Sequence, residues 1–71
     1  PREVVRRALE VGATGLMLAH NHPSGDPSPS SSDTSITRAL VNAAKLFDLT
    51  VHDHVIVGDR TIFSMKAKGL L

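Results

Sequence analysis

The 71-residue chain contains no cysteine, tryptophan or tyrosine and only two phenylalanines. Without cysteine, disulfide frameworks and thiolate metal sites are both excluded, and the composition is compatible with a reducing cytoplasm. Phe47 and Phe63 are too few to form an aromatic platform on which nucleic-acid bases stack. Charge of one sign is lacking as well. Eight basic and seven acidic side chains leave a formal charge of +1, which offers no electrostatic case for direct nucleic-acid binding. The longest apolar run, Leu16-Met17-Leu18-Ala19, is far too short to cross a bilayer. The opening Pro1-Arg2-Glu3 carries no apolar signal-peptide segment. Starting on proline without methionine predicts a polypeptide that begins further upstream. A chain this short buries a modest share of its surface, so a metal or a partner is expected to contribute stability.

What is present reads as an alternation of helices and strands. Pro1 suits the first turn of a helix, where its missing N–H is not needed. Val4, Val5, Ala8 and Leu9 recur at helical spacing, and Gly12 suits the residue just past that helix. Residues 14–19 form a short, nearly continuous apolar stretch, predicting a buried strand in the centre of a sheet. Its C-terminal end would deliver His20, and in open α/β sheets ligands bind at that end. Residues 23–32 hold three prolines, a glycine and five serines. The composition resembles a linker, but the prolines stiffen it and candidate ligands flank it, so an ordered site loop is expected. Ser30 followed by Asp33 has the form of a capping box. The helix behind it shows Ile36, Leu40, Ala43, Ala44 and Phe47 on one stripe and should end near Asp48. Residues 51–57 read as a strand, Gly58-Asp59-Arg60 as a turn, and 61–64 as its hairpin partner. The expected class is α/β, with few strands to shield two helices.

The chemistry concentrates in one pattern, H-x-H-P-x6-S-x-x-D, formed by His20, His22, Pro23, Ser30 and Asp33. In extended backbone, side chains at i and i+2 point to the same side, so the two imidazoles can converge on one ion. Asp33 falls in the first turn of a helix, where the positive helix end favours its carboxylate. Two histidines and one carboxylate supply three ligands to zinc and leave a fourth position open to water, as in catalytic zinc sites. Zinc held this way lowers the pKa of bound water to roughly 7 and polarises a carbonyl. Taken singly, each residue has an ordinary explanation. An isolated H-x-H is usually two polar side chains, and Ser30 and Asp33 are ordinary helix-start residues. The combination at this spacing is what points to a metal.

The pattern closely resembles the JAMM (MPN+) metalloprotease signature. More narrowly, the stretch from His20 through His22, Asp26 and Ser30 resembles the bacterial RadC family, as do Pro1-Arg2-Glu3-Val4-Val5, Asp53-His54-Val55-Ile56-Val57-Gly58 and Gly69-Leu70-Leu71. The resemblance implies a three-layer α-β-α domain of JAMM type, related to the cytidine deaminase fold. Residues 1–71 would form its C-terminal part, without the first strands. It implies His20, His22 and Asp33 as zinc ligands and Ser30 as donor to the oxyanion formed when zinc-bound water attacks a carbonyl. The substrate implied is a peptide or isopeptide bond. JAMM enzymes take their general base from a glutamate upstream of the H-x-H motif. The only glutamates here, Glu3 and Glu10, match no such motif, so no base is assigned and one is expected further upstream. A second possibility is a non-catalytic, metal-stabilised interaction module in a DNA-repair or mobile-element setting. Oligomeric state is left open.

His52-Asp53-His54 is a second H-x-H, on a predicted strand. It reads as a rival metal pair, as a group that orients a ligand from behind, or as ordinary strand residues. The contiguous His-Asn-His letters do not make an HNH nuclease, whose named residues are dispersed. A zinc deaminase needs a P-C-x-x-C element, which a cysteine-free chain cannot supply. No G-x-x-x-x-G-K-[ST] phosphate loop occurs.

Overall fold

A computed structural model describes residues 2–71. The elements follow as α1 (Arg2–Glu10), β1 (Gly15–Asn21), α2 (Ser31–Lys45), β2 (Thr50–Val57) and β3 (Ile62–Ser64). The expected role of Pro1 at the helix start lies outside the described residues. Helix α1 buries Val5 and Ala8, with Glu3 in its first turn and Arg7 in its last, each complementing the helix dipole. Val4 and Leu9, expected on the same stripe, flank it at 38% and 47% exposure. Gly12 ends the helix as predicted. It adopts a left-handed φ of 72°, and the next N–H, of Ala13, returns to the Ala8 carbonyl at 2.9 Å.

Helix α2 starts on a complete capping box. The Ser30 hydroxyl accepts from the Asp33 N–H, and the Asp33 carboxylate accepts from the Ser30 N–H. Its buried stripe is Thr37, Leu40 and Ala44, which corrects the expected apolar one. Ile36 and Phe47 stand 58% and 51% exposed. The regular helix ends at Lys45, and Asp48 takes a left-handed φ of 56°. Leu49 turns back inside, with its N–H on the Ala44 carbonyl at 2.9 Å. Phe47 therefore lies beyond the packed face, and a polar threonine occupies the interior position that sequence hydropathy gave to Ile36.

The sheet order is β1-β2-β3, with β1 and β2 parallel and β2 and β3 antiparallel. Strand β1, expected at the centre, lies at one edge of the described sheet. It alternates: Leu16, Leu18 and His20 are half-buried, while Met17 and Ala19 are exposed. The reason is that both helices cover one face. Val5, Ala8, Leu40, Ala44 and Leu49 form the buried cluster, and Leu16, Leu18 and Val51 pack against it. The opposite face carries Met17 and Ile62 at 69% and 68% exposure. The described residues thus build two layers of α/β structure.

One irregularity shapes the rest. Leu16 pairs with Val51, but Met17 pairs with Asp53, so His52 is an extra residue in β2. Past this bulge, Leu18 pairs with His54 and His20 with Ile56. Val51 and His54 therefore both face the helices although they are three residues apart. The hairpin closes through the Gly58 N–H on the Thr61 carbonyl at 2.8 Å. Behind it, Met65 is fully buried. No described helix is long and apolar enough to cross a membrane.

Candidate metal centre

The end of β1 supplies the first two site residues. His20 lies on the strand's helix-facing side, and the His22 N–H still pairs with the Val57 carbonyl at 3.1 Å. The ladder therefore holds both at i, i+2 spacing on one side. Pro23 then enters a turn closed by the Gly25 N–H on the His22 carbonyl at 2.9 Å. The loop beyond is ordered by its own bonds. Asp26 accepts from the Ser28 N–H at 3.0 Å, which holds the Asp26 carboxyl below its usual range. The Gly25 carbonyl accepts from the Asp59 N–H at 2.9 Å. Gly58 allows the loop to sit this close, since a Cβ there would meet the Gly25 carbonyl oxygen at 2.5 Å and the Pro27 ring at 2.7 Å.

The capping box delivers Asp33. Its Oδ2 accepts from the Ser30 N–H at 2.8 Å, and this backbone bond is the largest cause holding the carboxyl below its usual range. Three side chains then converge, Asp33 through both of its oxygens. His20 Nε2 and His22 Nε2 are 3.1 Å apart, His22 Nε2 lies 3.0 Å from Asp33 Oδ2, and His20 Nε2 lies 3.4 Å from Asp33 Oδ1. A tetrahedral ion with N and O bonds of about 2.0–2.1 Å separates its ligand atoms by about 3.3 Å. The observed spacings bracket that edge length.

Proton placement points the same way at His22. Its Nδ1 lies 2.8 Å from the Asp26 carbonyl oxygen. A carbonyl only accepts, so Nδ1 carries the hydrogen, and in the neutral ring Nε2 is a bare lone pair. That lone pair faces a carboxylate oxygen and a second imidazole nitrogen. A cation among them resolves the repulsion, so this donor set fits a divalent metal. Among the described residues, His20, His22 and Asp33 are the group whose ligand atoms come together in this way.

Ser30 is exposed at the edge of the site, its oxygen accepting from the Asp33 N–H at 3.1 Å. The two glutamates are elsewhere. Glu3 and Glu10 form exposed ion pairs with Arg6 and Arg7 on α1. The second H-x-H does not act as a pair. His52 is exposed, and its ring lies against Gly15, where a Cβ would meet Nε2 at 2.6 Å. His54 is 7% exposed and sits behind His20, with its Nε2 2.7 Å from His20 Nδ1. Burial, and then nearby His20, hold its pKa below the ordinary histidine value. Between them, Asp53 accepts from the Ser64 hydroxyl, the His54 N–H and the Lys66 N–H, tying β2 to β3 and the tail. The Ser64 bond contributes most to lowering its pKa. Thr37 and the Asp26 carbonyl also belong to the site. The one available signal for Thr37 was its place four residues after Asp33 on the helix.

An H-x-H at a strand end, faced by a carboxylate from the next helix, is the arrangement expected of a JAB (JAMM/MPN) domain. Residues 1–70 match the model of the RadC-like JAB domain, and the chain belongs to the RadC family. It is 56% identical over all 71 residues to the UPF0758 protein YfjY of Escherichia coli (strain K12). The chain spans 44% of that relative's length.

Proposed function

We propose that this chain is the metal-binding portion of a zinc-dependent hydrolase of peptide or isopeptide bonds, set within a three-layer α-β-α domain in the cytoplasm. His20, His22 and Asp33 are the zinc ligands and Ser30 the oxyanion donor. The observation that carries this reading is the convergence of three side chains, the two imidazole Nε2 atoms and the Asp33 carboxylate oxygens lying 3.0–3.4 Å from one another across residues. A divalent ion bound there polarises a carbonyl and acidifies water.

The protein's own groups have distinct tasks. The Asp26 carbonyl orients His22 through Nδ1, and the Ser30 N–H orients Asp33. The Ser30 hydroxyl spends a lone pair on the Asp33 N–H, which leaves its proton for a substrate oxygen where negative charge develops. Neither Glu3 nor Glu10 is assigned as general base, since both are engaged with arginines on α1. A second reading is a non-catalytic module associated with DNA repair, in which the same three side chains hold a metal for stability alone.

Zinc analysis combined with a cleavage assay on peptide and lysine-linked isopeptide substrates, using the full-length protein, separates the two. The hydrolase loses turnover in Ser30→Ala while keeping about one zinc per chain. The interaction module shows no turnover in any variant and loses folding in His22→Ala. A wild-type protein that takes up no zinc overturns both.

A further inference from the structure

Behind the metal-facing atoms a line of polar side chains runs into the core. His20 Nδ1 lies 2.7 Å from His54 Nε2, and His54 Nδ1 lies 2.5 Å from Thr37 Oγ1. Thr37 is 1% exposed and His54 7%, so the inner end of the line is shut off from solvent. Thr37 has one hydroxyl proton. Its oxygen lies 2.7 Å from the Asp33 backbone carbonyl, the usual helical back-bond of a buried threonine. The other acceptor in reach, the Met65 sulfur at 3.7 Å, is weak.

With that proton on the Asp33 carbonyl, Thr37 Oγ1 faces His54 as an acceptor. His54 Nδ1 must then carry a hydrogen, and Nε2 of the neutral ring is a lone pair. That lone pair accepts from His20, so the His20 hydrogen sits on Nδ1. His20 Nε2 is left bare, and it is the nitrogen directed at His22 and Asp33. The opposite order, Thr37 donating to His54, would put a hydrogen on His20 Nε2 and block that atom.

We infer that His54 and Thr37 are positioning residues that lock His20 in the tautomer able to bind a metal through Nε2, with the Asp33 carbonyl setting the direction of the whole line. The device rests on the reading of His20 as a ligand. It couples two ligands, because the peptide unit of Asp33 anchors the proton order that prepares His20. A histidine as outer partner is an uncommon choice where carboxylates and carbonyls usually serve. Here the polar line needs no net charge in a buried place.

The test has two readouts besides activity. Nitrogen-15 spectra of the imidazoles in the metal-free protein should show His20 and His54 both protonated at Nδ1. Zinc affinity, read by chelator competition, should fall about 10–100-fold in Thr37→Val and His54→Leu. His54→Gln, whose amide oxygen can accept from His20, should recover most of the loss, with melting temperatures of the metal-free variants following a different order. A His20 protonated at Nε2 in the wild-type protein overturns the inference, as does wild-type zinc affinity in both variants. Should His54→Leu fail to fold, the near-isosteric Thr37→Val and the wild-type spectrum decide. A wild-type protein that binds no zinc defeats the ligand reading instead, while the tautomers still report on the relay.

Discussion

The chain contains the tripeptide pattern H-x-H twice, and the two copies meet opposite fates. In His20-Asn21-His22 the strand is regular, so i and i+2 share a side and the two Nε2 atoms come within 3.1 Å. In His52-Asp53-His54 a bulge at His52 breaks the alternation. His52 then lies outside against Gly15, and His54 turns into the interior behind His20. The same spacing thus makes a converging pair in one strand and, in the other, an exposed side chain, an anchor and a buried support. Spacing specifies geometry only when the backbone between the residues is regular.

The sharpest way to break this contrast is to delete His52. Without the extra residue, either Val51 or the run containing His54 and Ile56 must turn away from the helices, because a one-residue slip exchanges the faces of a strand. Each such side chain contributes about 1.5–3 kcal/mol by burial, a large share for so small a domain. The expected result is loss of the cooperative melting transition in circular dichroism.

Asp33→Ala should have the next largest effect. Elemental analysis after dialysis is expected to drop from about one zinc per chain to near none, since two imidazoles alone complete only half of a tetrahedral site. The same substitution also removes half of the capping box.

Asp53→Asn tests the anchor between the second pair. It weakens three hydrogen bonds to an ionised acceptor, and a loss of about 1–3 kcal/mol in urea unfolding is expected. The sign with pH follows from the lowered pKa of Asp53. Its contribution is present above the unfolded carboxyl value of about 3.9 and disappears as pH falls through the lower folded value. The wild-type protein should therefore lose stability on acidification over that window more steeply than Asp53→Asn.

His52→Ala should do least. The side chain is exposed, so stability within about 0.5 kcal/mol of wild type is expected, with zinc content unchanged. A loss of zinc in this variant would show that the second pair does join the site, contrary to the contrast drawn above.

The order of elements, the capping box of α2, the glycine end of α1 and the convergence of His20, His22 and Asp33 were all legible in the sequence. Each depends on residues near one another in the chain: a strand periodicity of two, a serine three places before an acid, a glycine able to take positive φ. The interior role of Thr37 was not legible. Hydropathy favours Ile36, whereas the stripe turned to the interior is Thr37, Leu40 and Ala44, at i, i+3 and i+7, and Ile36 lies one residue off it. The edge position of β1 was hidden for a similar reason. An apolar run signals burial, but only the placement of both helices on one face decides which alternate residues receive it.

The sequence by itself determined the elements and the candidate ligands, because these follow from local backbone geometry. Only the tertiary structure decided which H-x-H faces the site, because a bulge exists only relative to the partner strand. It also decided that His54 and Thr37 stand in line behind His20, because that line joins three elements whose contacts no stretch of chain contains.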